Sequence, residues 1–247
     1  MTTRFLTSGE NLRHSKKGIL ITATDTGAGK TIITALLGLY LKAKGYDTGV
    51  LKPVETGCNE TEGVLFPEDG AFLNLYLSPD SSVEETTPFR LKLPLAPSVA
   101  ASLEGKTLDY SRVVAFCKER LDSYDITLIE GVGGLLVPLT DDKMVIDLAI
   151  DLDIPLLIVS PDRLGTLNHT LLTVRVARAE GLNVCGVILN EVSMSSDISR
   201  ETNIRELKRL LVDIPVVKVP FIEGKFYPEK FLDLSREIRW EPIIENL

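Results

Sequence analysis

The sequence predicts an α/β fold, a mainly parallel sheet with helices on both faces. Three observations predict it. Short runs rich in Val, Ile and Leu recur along the chain, amphipathic stretches separate them, and a glycine-rich loop joins the first run to the first stretch. Runs that are apolar on consecutive residues belong to strands buried on both faces, as in a parallel sheet.

The elements follow in order. GILITA (18–23) reads as a buried strand. TIITALLGLYLKAKG (31–45) reads as a helix, with Leu36, Leu37, Tyr40 and Leu41 on one face and Gly45 ending it. TGVLKPV (48–54) is the next strand and completes a βαβ unit. DITLIEG (125–131) and IPLLIVS (154–160) are strands, and GTLNHTLLTVRVARAEG (165–181) is a helix stopped by Gly181. VCGVILNEV (184–192) and IPVVKVP (214–220) are strands around a charged helix near 199–211. Between 56 and 100 the pattern places one helix, starting near Asp69. The proline-rich TTPFRLKLPLAPSVAASLEG (86–105) is not placed by periodicity; irregular stretches of this length are usually functional loops.

The 247 residues suit one domain over 18–247, preceded by an extension over 1–17. That extension is polar and basic, without the apolar segment of a secretory signal; its Ser and Thr content also fits a transit peptide. A net charge of -8 argues against nonspecific binding to nucleic acid or membrane, while leaving local phosphate binding open. No apolar run approaches the roughly 18 residues of a membrane helix. Cys58, Cys117 and Cys185 are widely spaced, and the only histidines are His14 and His169. Neither a disulfide framework nor a zinc site is suggested, which fits a reducing, cytoplasmic setting.

Ligands of such sheets sit at the carboxyl ends of the strands, and the chemistry-bearing residues fall there. ATDTGAGKT (23–31) ends like a phosphate-binding loop, with Thr24 where the usual first glycine belongs. Gly27 and Gly29 let the backbone fold around phosphate, Lys30 reaches the β- and γ-phosphates, and the Thr31 hydroxyl suits Mg²⁺. This makes the fold P-loop NTPase-like. Glu130 ends a buried strand before Gly131, Gly133 and Gly134, where a second magnesium ligand belongs; the alternative is a strand-end acid at the solvent edge. Lys52 ends the strand before Pro53, either to stabilise a transferred phosphoryl group or as a solvated lysine. Thr56 and Gly57 follow it toward a substrate. Asp69 reads as a helix N-cap or a magnesium ligand, and Asn190 as a base-reading amide or a turn residue.

Taken together, TDTGAGKT, LKPVETG, EGVGGLLVPL, LGTLNHTLLT and the asparagine after VIL resemble the dethiobiotin synthetase family, in the same order from about Gly18 to Ile222. The family's loop reads G-T-D-T-x-x-G-K-T, so Thr24, Asp25 and Thr26 fit it and Ala23 replaces a glycine. The resemblance implies a Mg²⁺-dependent ligase that uses ATP as co-substrate. It would carboxylate diaminopelargonate with CO₂ or bicarbonate and close a cyclic urea through a carbamate and a carbamic–phosphoric anhydride. It implies that Lys30, Lys52 and Thr26 serve catalysis, and that Thr31, Asp69 and Glu130 hold the metal. Nucleotide contacts would come from Gly27, Ala28, Gly29, Lys30, Thr31 and Ile32, from Asp69, and from Glu130, Gly131, Val132 and Gly133. Asn190, Glu191, Pro220, Phe221 and Ile222 would form the base site. Substrate contacts would come from Thr26, Lys52, Thr56, Gly133, Leu167 and Asn168. A homodimer is implied too, in which the helix after LGT receives the substrate carboxylate of the neighbouring subunit. His169 then reads as a packing or interface residue.

Two other readings compete. A glutamine-dependent amide-forming ligase of the same superfamily predicts an added glutaminase domain, for which 247 residues leave no room. A MinD/ParA-like ATPase predicts a second lysine early in the loop, where this chain has Thr24, Asp25 and Thr26.

Overall fold

The computed structural model describes residues 17–194, 198–223 and 228–247. The extension expected over 1–17 therefore lies, Lys17 excepted, outside the described residues, as does His14. β1 (Lys17–Ala23) runs through the glycine-rich loop into α1 (Lys30–Ala43), and β2 (Thr48–Leu51) follows. The strand expected over 48–54 is divided. Lys52 and Pro53 break it, and Val54–Glu55 forms a separate short strand, β3. Pro53 has no N–H for a ladder, which is a sufficient cause for the break.

The stretch from 56 to 105 contains a hairpin, β4 (Asn59–Thr61) and β5 (Val64–Phe66), then α2 (Glu68–Leu77) and α3 (Val83–Thr86). β6 (Phe89–Arg90) pairs in parallel with β3, and α4 (Pro97–Leu103) follows with proline in its first turn. The remaining elements are α5 (Tyr110–Leu121), β7 (Ile126–Gly134), α6 (Val145–Leu152), β8 (Leu156–Pro161), α7 (Thr166–Ala179), β9 (Val184–Asn190), α8 (Arg200–Leu210), β10 (Val216–Val219), α9 (Pro228–Glu237) and α10 (Glu241–Ile244).

Six strands form one parallel sheet in the order β10-β9-β8-β1-β7-β2. Each face carries its own apolar layer. One gathers Ile33, Leu36, Leu37 and Leu41 of α1, Leu73 and Leu77 of α2, Phe231 of α9 and Ile243 of α10. The other gathers Val113 of α5, Leu148 of α6, Val174 of α7 and Leu207 of α8. β1 lies between β7 and β8, so the loop after it opens where the neighbouring connections diverge, the crevice such sheets use for ligands.

Alternation along the strands decides what faces α1. Ile126 and Leu128 of β7 join the α1 layer while Ile129 joins the other, so Glu130 points to the α1 side. Val50 of β2 joins the α1 layer and Leu51 the opposite one, so Lys52 follows Val50.

Phe231 closes α9 over α1 and α2; its ring lies 5.1 Å from that of Tyr76 and 6.0 Å from that of Phe72. Phe231→Ala should cost about 3–5 kcal/mol of folding stability. Denaturant unfolding read from Trp240, the single tryptophan, measures it. A loss below about 1 kcal/mol would mean that α9 contributes little to the core.

Candidate active site

Glu130 sits at the centre of the site. Its carboxylate is 1% exposed and collects three donors. Lys52 Nζ lies 2.6 Å from Oε1, the Thr31 hydroxyl donates to the same oxygen at 2.9 Å, and the Thr34 hydroxyl donates to Oε2 at 3.1 Å. Lys52 also reaches Asp69 Oδ2 at 3.1 Å. It is 3% exposed, so the solvated alternative for this lysine does not hold. Nor does the edge alternative for Glu130.

The phosphate loop is tied on both sides. Gly29 takes φ 87° at the start of α1, and a Cβ there would meet Asn190 Nδ2 at 2.3 Å. Glycine is therefore required both by the backbone and by the approach of Asn190, which donates to the Ala28 carbonyl at 2.8 Å. Asn190 is the last residue of β9, not a turn residue. Thr24, in place of the usual glycine, places its hydroxyl 3.1 Å from Ser160 Oγ. Ser160 in turn contacts the Thr166 hydroxyl at 2.6 Å and accepts from Thr170 at 2.8 Å. Asp25 accepts from the Thr26 N–H at 2.8 Å and pairs with Arg163 at 2.5 Å. The first half of the loop is thus fastened to the start of α7.

Asp69 is not the N-cap of α2. Pro67 holds that position without a side-chain cap, and Asp69 lies in the first turn. The capping acceptor comes from elsewhere in the chain. Glu55 Oε1 accepts from the Asp69 N–H at 3.0 Å and Oε2 from the Gly70 N–H at 2.8 Å. Sequence reasoning missed Glu55, because a cap from a distant strand leaves no local signal. Its place two residues after Pro53, in the same strand-end segment as Lys52, was the available hint.

A cavity of about 900 Å³ joins these groups. Of the residues expected from the sequence, it brings together Thr26, Gly27, Gly29, Lys30, Thr31, Ile32, Lys52, Thr56, Asp69, Glu130, Val132 and Gly133. Ala28 is buried behind the loop and Gly131 within the sheet. Glu191 adjoins the loop end through β9; it pairs with Lys218 at 2.8 Å and accepts from the Phe221 N–H at 3.2 Å. Pro220 and Ile222 line a separate apolar groove of about 630 Å³ along β10. Leu167 and Asn168 occupy the first turn of α7, away from the lining of the larger cavity. His169 is exposed in this chain, so its packing alternative fails.

The charges are mutually adjusted. Burial lowers the pKa of Lys52, but Glu130, Asp69 and the Glu130 hydrogen bond outweigh it and hold it above the usual lysine value. Lys30 shifts the other way: burial dominates, Lys52 adds repulsion, and Glu130 offsets only part. Burial raises Glu55 more than Lys52 and the α2 amides lower it. The nearby carboxylates of Glu130, Asp69 and Asp25 thus compensate the buried Lys30 charge only in part, and a phosphate would add to that compensation.

No group of three or more His, Cys, Asp or Glu side chains suited to a metal occurs among the described residues. A cation here would rely on the Thr31 hydroxyl, the carboxylates of Asp69 and Glu130, and oxygens of a nucleotide. This hard-oxygen set suits Mg²⁺, which keeps water and phosphate ligands alongside one or two carboxylates. The Lys52 ammonium, bridging Asp69 and Glu130, already stands in for a cation there.

Comparisons with known proteins identify a family and a fold. A family model described as an AAA domain matches residues 17–222. ATP-dependent dethiobiotin synthetase BioD of Thermodesulfovibrio yellowstonii is 39% identical, over 83% of this chain and 88% of its own length. The BioD of Bacillus cereus is 35% identical over 93% and 95%, and that of Methanococcus vannielii 40% identical over 74% and 81%. Among solved structures, the cell division ATPase MinD of Pyrococcus furiosus superposes with a TM-score of 0.52 at 19% identity, covering 90% of this chain and 98% of its own. MinD of Pyrococcus horikoshii, complexed with Mg-ADP, gives 0.53 at 20% identity, over 90% and 95%. That likeness is one of fold.

A divalent cation held by Asp69 and Glu130 would compete with Lys52 for the same carboxylate oxygens. Lys52→Met should therefore bind Mn²⁺ more tightly without nucleotide, by about tenfold or more, since like charges ~4 Å apart repel by about 4 kcal/mol at an effective dielectric of 20. The variant leaves Glu130 without its cation, so Mn²⁺ should also restore more of its melting temperature than it does in the parent. Unchanged Mn²⁺ affinity by paramagnetic resonance titration would contradict the competition.

Proposed function

The chain belongs to the family of ATP-dependent dethiobiotin synthetases, cyclo-ligases of biotin biosynthesis, and from that premise we propose how its residues carry out the reaction. The substrates are 7,8-diaminopelargonate (7,8-diaminononanoate), CO₂ and ATP; the products are dethiobiotin, ADP and phosphate. One amine takes up CO₂ to form a carbamate. A carbamate oxygen attacks the γ-phosphorus and ADP leaves, giving a carbamic–phosphoric anhydride. The second amine attacks the carbonyl carbon, phosphate departs with the carbamate oxygen, and the cyclic urea closes.

The observation that carries this reading is the pair of buried lysines on either side of Glu130. Lys30 starts α1 where a γ-phosphate would lie, and Lys52 ends the neighbouring strand segment. Phosphoryl transfer needs charge stabilisation and alignment more than covalent help. Lys30 neutralises the nucleotide side. Lys52 holds the carbamate oxygen in line with phosphorus and balances the charge that develops there. Thr26 and Thr56 line the same cavity and orient the second substrate through their hydroxyls. Thr31, Asp69 and Glu130 would hold Mg²⁺, which supplies charge neutralisation on the transferred phosphoryl group.

Base choice rests on Asn190. Its Nδ2 donates to the Ala28 carbonyl, which orients the amide and leaves Oδ1 as the acceptor for a base. The exocyclic amine of adenine donates to such an acceptor, whereas O6 of guanine repels it. Glu191, through the Phe221 N–H, holds the 220–222 segment beside it. The homodimer belongs to the same reading. Free N–H groups open α7 at Leu167 and Asn168, suited to a carboxylate, and the nearby Leu164 and Leu172 are 81% and 54% exposed. A partner subunit covering this segment would bring its own substrate's carboxylate to α7.

Incubation with diaminopelargonate, bicarbonate and MgATP should give the cyclic urea in step with ADP; ATP hydrolysis without that product would overturn the ligase reading. Lys52→Met should lower kcat by at least about a hundredfold while changing the ATP dissociation constant by less than about threefold, because its work is in the transition state. Equal losses in both would reduce Lys52 to nucleotide binding. Asn190→Ala should erase most of a preference for ATP over GTP of about tenfold or more, the scale of one buried hydrogen bond. A parent enzyme indifferent to the base would contradict that role.

A further inference from the structure

Glu55 is used by none of the steps above, yet it is 5% exposed and lines the central cavity. Its carboxylate is engaged at both oxygens by consecutive backbone N–H groups, those of Asp69 and Gly70. These belong to the first turn of α2, whose own N-cap residue, Pro67, supplies no side-chain acceptor. The first-turn N–H groups of a helix have no intrahelical partner, and an anionic acceptor there both satisfies them and meets the positive end of the helix dipole. Glu55 is therefore a cap delivered across space, from β3 to α2.

The platform behind it is fixed. The Glu55 carbonyl accepts from the Leu91 N–H at 2.9 Å, and Val54 and Glu55 pair with Phe89 and Arg90. The helix is shaped to let the carboxylate approach. A Cβ at Gly70 would lie 3.3 Å from Glu55 Oε2 and 2.0 Å from Thr87 Oγ1, so a side chain there would push the turn away. The residue held by this clamp is Asp69, whose carboxylate lies 3.1 Å from Lys52 Nζ although the side chain is 51% exposed. The half-open side chain is thus fixed at its tip by Lys52 and at its backbone by Glu55.

We propose that Glu55 is a positioning residue, which by capping α2 holds the Asp69 carboxylate at the cation site and couples the Lys52–Thr56 segment to metal binding. This rests on the reading of Asp69 as a metal ligand. It requires a carboxylate. A glutamine of the same size keeps one acceptor oxygen but turns an NH₂ group toward an N–H donor.

The test is Mn²⁺ binding in the presence of a non-hydrolysable ATP analogue, followed by paramagnetic resonance, together with the Mg²⁺ dependence of turnover. Glu55→Gln should weaken Mn²⁺ binding about tenfold and raise the Mg²⁺ concentration for half-maximal turnover to match, as loss of one charged hydrogen bond allows. At saturating Mg²⁺ its kcat should stay within about threefold of the parent. Glu55→Asp, which keeps the charge on a shorter arm, should fall between the two and serves in its place if the glutamine variant does not fold. A lowered melting temperature with parental Mn²⁺ affinity would make Glu55 merely structural and overturn the proposal. So would a lowered kcat that saturating Mg²⁺ does not recover. Asp69→Asn separates the two claims. Metal affinity lost in Asp69→Asn but kept in Glu55→Gln overturns the role of Glu55 alone. Affinity kept in both overturns it together with the reading of Asp69. Affinity lost only in Glu55→Gln shows action through another route and also overturns it.

Discussion

The ion pair between Lys52 and Glu130, 2.6 Å apart and nearly closed to solvent, is the constraint around which the site is built. Two opposite charges taken out of water are tolerated only with near-complete compensation. Glu130 obtains it from Lys52, Thr31 and Thr34, and Lys52 obtains it from Glu130 and Asp69. The requirement draws together the end of β7, the start of α1, the segment after β2 and the first turn of α2. These pieces are far apart in the chain, and each carries a group to which we assign a part in phosphoryl transfer. The arrangement is also poised. Its ammonium contacts Asp69 and Glu130, the carboxylates that a nucleotide-bound cation would use.

The sheet makes that convergence possible. With β1 between β7 and β8, the phosphate loop lies beside both Glu130 and the β8 end that leads to α7. The hydroxyls of Thr24, Thr166 and Thr170 gathered on Ser160, and the Asp25–Arg163 pair, then fasten the loop to the start of α7. A loop of this kind needs only its glycines, lysine and threonine to hold phosphate. Here Thr24 and Asp25, which lie outside that minimum, link the nucleotide site to the helix expected to meet the carboxylate end of the second substrate.

Much of this is legible in the sequence, for a physical reason. Apolar runs mark where strands end, so Glu130 and Lys52 stand out as candidates, while the choice against a solvated lysine or an edge acid needs the burial and layers of the folded chain. The loop announces itself through glycine spacing and its setting between strand and helix. The helix at 31–45 and the strands of the parallel sheet follow from their apolar pattern in the same way. What stays hidden depends on contacts across space. Pro53 divides a strand that looks continuous. The 56–105 stretch pairs β3 with β6 through two residues each, too short for any pattern. α5 buries only Val113 and Cys117, a faint apolar stripe. The cap on α2 comes from Glu55, fourteen residues earlier, where a local reading expects Asp69 itself.

The central claim is that these charges direct the γ-phosphoryl group onto a carbamate and not onto water. Single-turnover reaction with ¹⁸O-labelled CO₂ in unlabelled water tests it most directly. The account predicts one ¹⁸O in the released phosphate for each cyclic urea formed, because the carbamate oxygen leaves with phosphorus. Phosphate without ¹⁸O, its fourth oxygen taken from solvent, formed at the same rate, would contradict it.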